Sequence, residues 1–164
     1  MTEIRRRTRE RGVLPVKAPS PVIGSCQVIA DETIVVTILG RPAPQGSKSP
    51  LGMEANPRTR PWREMIRTVC EKKLPDNWEK LDGPLVLELW FWFDPPASAK
   101  PGDLPCTKTT YDWDKLSRAI GDGLTEGGVI VDDARIVDAH VYKRYIFDKT
   151  EARAIAIVSP CRGS

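Results

Sequence analysis

Four carboxylates stand at the two ends of one segment, Tyr111 to Tyr145. Asp112 and Asp114 are two residues apart at the expected start of a helix, and Asp132-Asp133 follows the apolar triplet Val129-Ile130-Val131. The Gly127-Gly128 turn between them lets the chain double back, so the four carboxylates are expected to converge on one small volume. Like charges packed that closely repel unless a cation neutralises them or a proton is shared. An all-oxygen ligand set suits Mg²⁺ or Mn²⁺. Arg118, one helical turn after Asp114, adds a cation suited to phosphate. Each pair alone has a structural explanation: an Asp before a helix caps it, and an Asp-Asp before a strand makes a turn. A cap needs one carboxylate, however, and the helix start supplies two.

Other chemistries fit poorly. A calcium loop begun at Asp112 would have Leu116, Ser117 and Gly123 at positions that require an oxygen ligand, Gly and Glu. His140 is the only histidine, and no G-x-S-x-G elbow, Walker loop or dinucleotide-binding glycine motif occurs. Cys26, Cys70, Cys106 and Cys161 are scattered without a C-x-x-C pair, which argues against zinc and for reduced thiols.

The elements that must position the carboxylates are legible from periodicity. Thr33 to Gly40 is a β-branched run and reads as a buried strand. The Pro- and Gly-rich stretch 41–52 is a loop, and its Lys48, flanked by serines, is a candidate phosphate contact. Pro61 opens a helix whose stripe is Trp62, Met65, Ile66 and Val69, ended by Pro75. Pro84 to Phe93 is apolar on both faces and reads as a central strand, with Trp90 and Trp92 expected in the core. A Pro-rich loop, 94–110, then leads into a helix over Asp114–Leu124. Leu116, Ala119, Ile120, Gly123 and Leu124 form its buried stripe, and Asp114, Arg118 and Asp122 form an exposed row. Strands are expected over Arg135–Tyr145 and Ala152–Val158, paired as a hairpin. The order β-α-β-α-β-β predicts an α+β fold, a small mixed sheet with two helices on one face.

The combined pattern is Asp-x-Asp-x-Leu at a helix start, a further Asp, Gly, then Asp-Asp-Ala and a hydrophobic strand carrying Lys143. It resembles the RusA family of Holliday-junction resolvases, mostly of phage or prophage origin. The likeness is close over 111–145 and looser from Thr33 to Val158. It implies that Asp112, Asp114 and Asp133 bind metal, with Asp132 the acidic neighbour of the last and Lys143 the basic residue ending the third strand. It further implies Mg²⁺ or Mn²⁺ with no small-molecule cofactor, a homodimer, and hydrolysis of four-way DNA junctions. Lys115 stands where the family usually has Asn, and Arg118 where it has a catalytic lysine. Arginine keeps the charge but does not readily release a proton, so Lys115 becomes a supplementary cation. A broader branched-DNA or flap nuclease, and a catalytically degenerate junction-binding protein, are the alternative readings.

At 164 residues the chain supports one domain, here 31–164, preceded by a flexible basic arm, 1–30. Residues 1–17 carry net +4, including Arg5, Arg6 and Arg7, which leaves −1 for the rest of a +3 chain. Such an arm suits phosphates without reading bases. The longest apolar runs are too short to span a membrane, and no signal-peptide core is present, so a cytoplasmic protein is expected.

Overall fold

The computed structural model describes residues 23–29, 32–46 and 56–163. Five strands and two helices follow in the order β1 (Gly24–Val28), β2 (Ile34–Leu39), α1 (Thr59–Lys73), β3 (Leu85–Phe93), α2 (Trp113–Glu126), β4 (Ile136–Tyr145) and β5 (Arg153–Pro160). Short 3₁₀ turns, Lys108–Thr110 and Asp133–Arg135, precede α2 and β4. The class is α+β, as the periodicity predicts. The sheet gains one strand, β1, from the stretch read as arm. Gln27 and Val28 are exposed, so β1 has little of the apolar alternation that marks a strand in sequence.

The sheet order is β1-β2-β5-β3-β4. β3 lies inside the sheet, as its two apolar faces require. The crossover through α2 makes β4 parallel to β3. The expected β4–β5 hairpin does not form: β5 inserts between β2 and β3, antiparallel to both. Burial explains the choice. Ala154, Ala156 and Val158 are fully buried, and their small size suits a central strand beneath helices. Residues 137–140 of β4 are exposed on both faces, which only an edge position allows.

Both helices pack on one face of the sheet. α1 buries Trp62, Ile66, Val69 and Cys70, and α2 buries Leu116, Ala119, Ile120 and Leu124, as their stripes predict. The helices meet closely at Gly123, where a Cβ would sit 2.6 Å from Ile66 Cγ2. Their shared floor is Leu85, Leu87, Leu89, Phe91 and Phe93 from β3, with the alternate residues of β2 and β5. Alternation sends Trp90 and Trp92 to the opposite face, where they are half-buried. The expectation that they belong to the core is therefore corrected, because among the described residues no helix covers that side.

Candidate active site

The approach to α2 is strained. Tyr111 has φ 61° and ψ 167°, a region that non-glycine residues rarely occupy. Its amide donates to the Lys108 carbonyl at 3.2 Å, and its own carbonyl accepts from Lys143 Nζ at 2.8 Å. Lys143, on β4 opposite Phe91, thus fastens the strained residue to the sheet. Strain of this kind costs of order 1–3 kcal/mol and persists only where surroundings over-determine it.

The next residue, Asp112, occupies the N-cap position of α2, yet its side chain makes no capping bond. Its carboxylate pairs instead with Lys115 Nζ at 2.9 Å, and that contact holds it below the usual carboxylate range. The structural role open to Asp112 is therefore not the one it takes. Asp114 lies in the first helical turn, where the helix dipole favours a negative charge. Both carboxylates line an open cleft of about 660 Å³ with Lys108, Tyr111, Trp113 and Lys143. Burial pushes the Lys143 ammonium below its ordinary range, opposed by the negative charge of Asp112.

The second acidic pair lies elsewhere. One oxygen of Asp132 accepts from the Ala134 amide at 2.8 Å, which caps the 3₁₀ turn. Asp133 packs on α2 at Gly121, where a Cβ would lie 3.5 Å from its Oδ2. Gly121 is seven residues past Asp114, about 10 Å along the helix. Neither Asp132 nor Asp133 lines the cleft, and among the described residues no three His, Cys, Asp or Glu side chains are grouped to hold a metal ion. The convergence expected from the sequence is thus resolved into two stations along α2: Asp112 with Asp114, and Asp133 beside Gly121.

Arg118 lies on the exposed side of α2 between those stations and makes no hydrogen bond or ion pair among the described residues. The exposed acid–base row is shorter than expected. Asp122 is half-buried and accepts from Gln45 Nε2 at 2.5 Å. Gln45 is buried, and its backbone N–H donates to the Lys115 carbonyl at 2.9 Å, so the 41–46 stretch is stapled to α2 at Lys115 and Asp122. Lys48 and the arginines Arg5, Arg6 and Arg7 lie outside the described residues.

Three site residues escaped the sequence reading. Gln45 sits in an irregular loop, where no periodicity reports burial. Tyr111 gives no hint of its backbone strain. Trp113, between the two aspartates, is 62% exposed at the cleft. Its place in an Asp-Trp-Asp run was the available signal, since a large aromatic between two exposed carboxylates has no core to enter.

The donor chemistry fits a hard divalent cation. Mg²⁺ is commonly held by one or two carboxylates, its remaining ligands being water and substrate phosphate. Asp112 and Asp114 offer such a pair, and Lys108 and Lys143 beside them offer charge for phosphate. No curated protein matches the sequence significantly. The family model described as endodeoxyribonuclease RusA matches residues 40–155, well over half the chain and all of the cleft just described. The chain belongs to the RusA family of endodeoxyribonucleases.

Proposed function

We propose that this protein is a Mg²⁺-dependent, structure-specific endodeoxyribonuclease that resolves four-way DNA junctions by paired phosphodiester hydrolysis as a homodimer. Family membership supports the nuclease chemistry. The observation that carries the site is the cleft shared by Asp112, Asp114 and Lys143, in which the N-cap carboxylate makes no cap.

Asp112 and Asp114 would hold a cation in the cleft, and Asp133, with Asp132 as its neighbour, would serve the second station along α2, where a second cation is the alternative the separation leaves open. When bound, the metal supplies an activated water and charge neutralisation at the phosphate oxygens. The chain's own residues bind and orient the backbone around it. Lys143 fixes the carbonyl of Tyr111 and so the entry angle of Asp112, and it presents a cation to the same cleft. Lys108 and Lys115 add phosphate contacts at the rim, and Trp113 offers an exposed ring to an unpaired base at a branch point. Residues 1–22, with Arg5, Arg6 and Arg7, and Lys48 in its loop, add salt-dependent, sequence-independent affinity. A homodimer matches a substrate that needs two symmetrical cuts.

Purified protein with Mg²⁺ is expected to nick four-way junctions at paired positions and to leave linear duplex intact. Faster cutting of flaps than of junctions would favour the broader nuclease. Tight junction binding without cutting of any substrate would favour the degenerate binding protein.

Arg118 tests the departure from the family lysine. A surface ion pair contributes only ~0–1 kcal/mol, and among the described residues Arg118 makes none. Its guanidinium is placed to offset charge on the pentacovalent phosphate, so Arg118→Ala is expected to slow cleavage on the order of 100-fold. Junction affinity should be largely kept. Arg118→Lys should retain most activity, because charge and not proton release is required. Wild-type rates in both variants would transfer the role to Lys115 or Lys143.

A further inference from the structure

The sheet face opposite the helices is uncovered among the described residues, and its chemistry is graded along the strands. Registered rows run across it. One end carries Asp138, whose carboxylate lies 3.3 Å from His140 Nε2, and then the row His140, Glu88 and Ile157. The middle row carries Tyr142, Trp90 and Ile155, and the far end Arg144, Trp92 and Arg153. Tyr142 stacks on Trp90 at 4.2 Å, Trp92 stacks on Trp90 at 6.3 Å, and the guanidiniums of Arg144 and Arg153 cover Trp90 and Trp92 at 5.4 and 5.1 Å. Neither arginine has a carboxylate within ion-pair distance among the described residues; their hydrogen bonds go to backbone carbonyls and the Thr150 hydroxyl. Glu88 accepts from Trp90 Nε1 and has no cationic partner there either. Both carboxylates of the face thus lie toward one end, beside His140, both arginines lie at the other, and the middle is apolar.

We infer that this face is the homodimer interface, two sheets packed face to face about a two-fold axis that lies in the interface and runs across the strands. The inference rests on the homodimer proposed above and assigns its surface and symmetry. That axis turns the Asp138–Glu88 end of one subunit onto the Arg144–Arg153 end of the other, while the Trp90 and Ile155 rows meet in the middle. An isologous contact requires this self-complementarity. The same axis keeps each β4 over the partner's β4. Lys143 points from β4 toward the helix layer, so both clefts then open along one side of the dimer, as two cuts in one junction demand. An axis parallel to the strands would instead lay acid on acid and send the clefts to opposite sides.

The face is large enough. Five strands ~4.8 Å apart and a strand of eight residues at ~3.3 Å each span roughly 500 Å² per subunit. Doubled, this reaches the ~1,000 Å² total that a specific interface needs. Single-stranded DNA fits less well, because stacking on bases requires free ring faces, and here those faces are occupied by other rings and by guanidiniums.

Sedimentation of the full chain tests the assignment. Wild type is expected to be a dimer. Ile155→Glu, which places a charge in the apolar middle, should weaken it at least 100-fold while circular dichroism and melting remain those of a folded domain. Reversing the basic end, Arg144→Glu with Arg153→Glu, should also separate the subunits. Adding Glu88→Arg and Asp138→Arg reverses both ends and should restore the dimer, a rescue that misfolding cannot mimic. A monomeric wild type overturns the inference, whether residues 1–22 or nothing covers the face. Variants that stay dimeric place the interface elsewhere, and variants that stay dimeric but lose single-stranded DNA assign the face to nucleic acid. Junction cutting scored on the same samples separates these outcomes from failure of the nuclease reading, since a dimer through this face does not depend on catalysis.

Discussion

Asp114→Asn protein is expected to bind four-way DNA at least as tightly as wild type and to cut it at least 1,000-fold more slowly. Asp114 lies in the cleft beside Lys143, at the first turn of α2. The change to Asn preserves shape and removes one negative charge. Near a phosphate backbone that removal eases repulsion, so affinity holds or rises, whereas a hard cation loses an anionic ligand. Stability should move little, because Asp114 is exposed and makes no hydrogen bond or ion pair among the described residues. Asp133→Asn is expected to behave alike if the station beside Gly121 belongs to the same catalytic unit. Measuring junction affinity by gel shift and nicking on a labelled junction separates the two effects. Near-wild-type cutting by Asp114→Asn would remove the carboxylates from the mechanism. Loss by Asp114→Asn but not Asp133→Asn would restrict the site to the Asp112–Asp114 pair.

Withdrawal of divalent cations should abolish cutting and leave the protein folded. With excess EDTA no nicked product is expected, and Mg²⁺ or Mn²⁺ should restore it. Ca²⁺ should support binding with little cutting. The reason is that the polar groups lining the cleft are two carboxylates, two lysines, Tyr111, Cys106 and Thr107, with no histidine among them to act as a general base near neutral pH. Metal is not expected to hold the fold together, because the core of Phe91, Leu116, Ile120 and Ile66 closes without it. A melting temperature unchanged by EDTA, together with lost cutting, is the expected pair of results. Undiminished cutting in EDTA would exclude the metal-dependent mechanism.

Much of the architecture follows from local pattern. The stripes Trp62–Ile66–Val69 and Leu116–Ile120–Leu124 each recur at helical spacing, and apolar residues on both faces of β3 mark it as interior, so both helices and their common core are readable residue by residue. Asp112 and Asp114 are likewise readable, because their spacing at a helix start is a local fact. Long-range placement is a different matter. β5 enters the middle of the sheet because Ala154, Ala156 and Val158 fit beneath the helices, a packing condition that adjacency in sequence does not encode. The same holds for Asp133. Its neighbour Asp132 is drawn into capping the 3₁₀ turn, and that turn meets α2 at Gly121, two turns from Asp114, so a cluster that looks single in sequence is drawn out along a helix. Strain at Tyr111, the Lys143 contact that fastens it, and the half-buried place of Trp90 and Trp92 on the face away from the helices all arise from how layers stack. Periodicity states which residues share a face. Which face is then covered depends on where the helices land, and among the described residues two helices of this length cover one side of five strands and leave the other open.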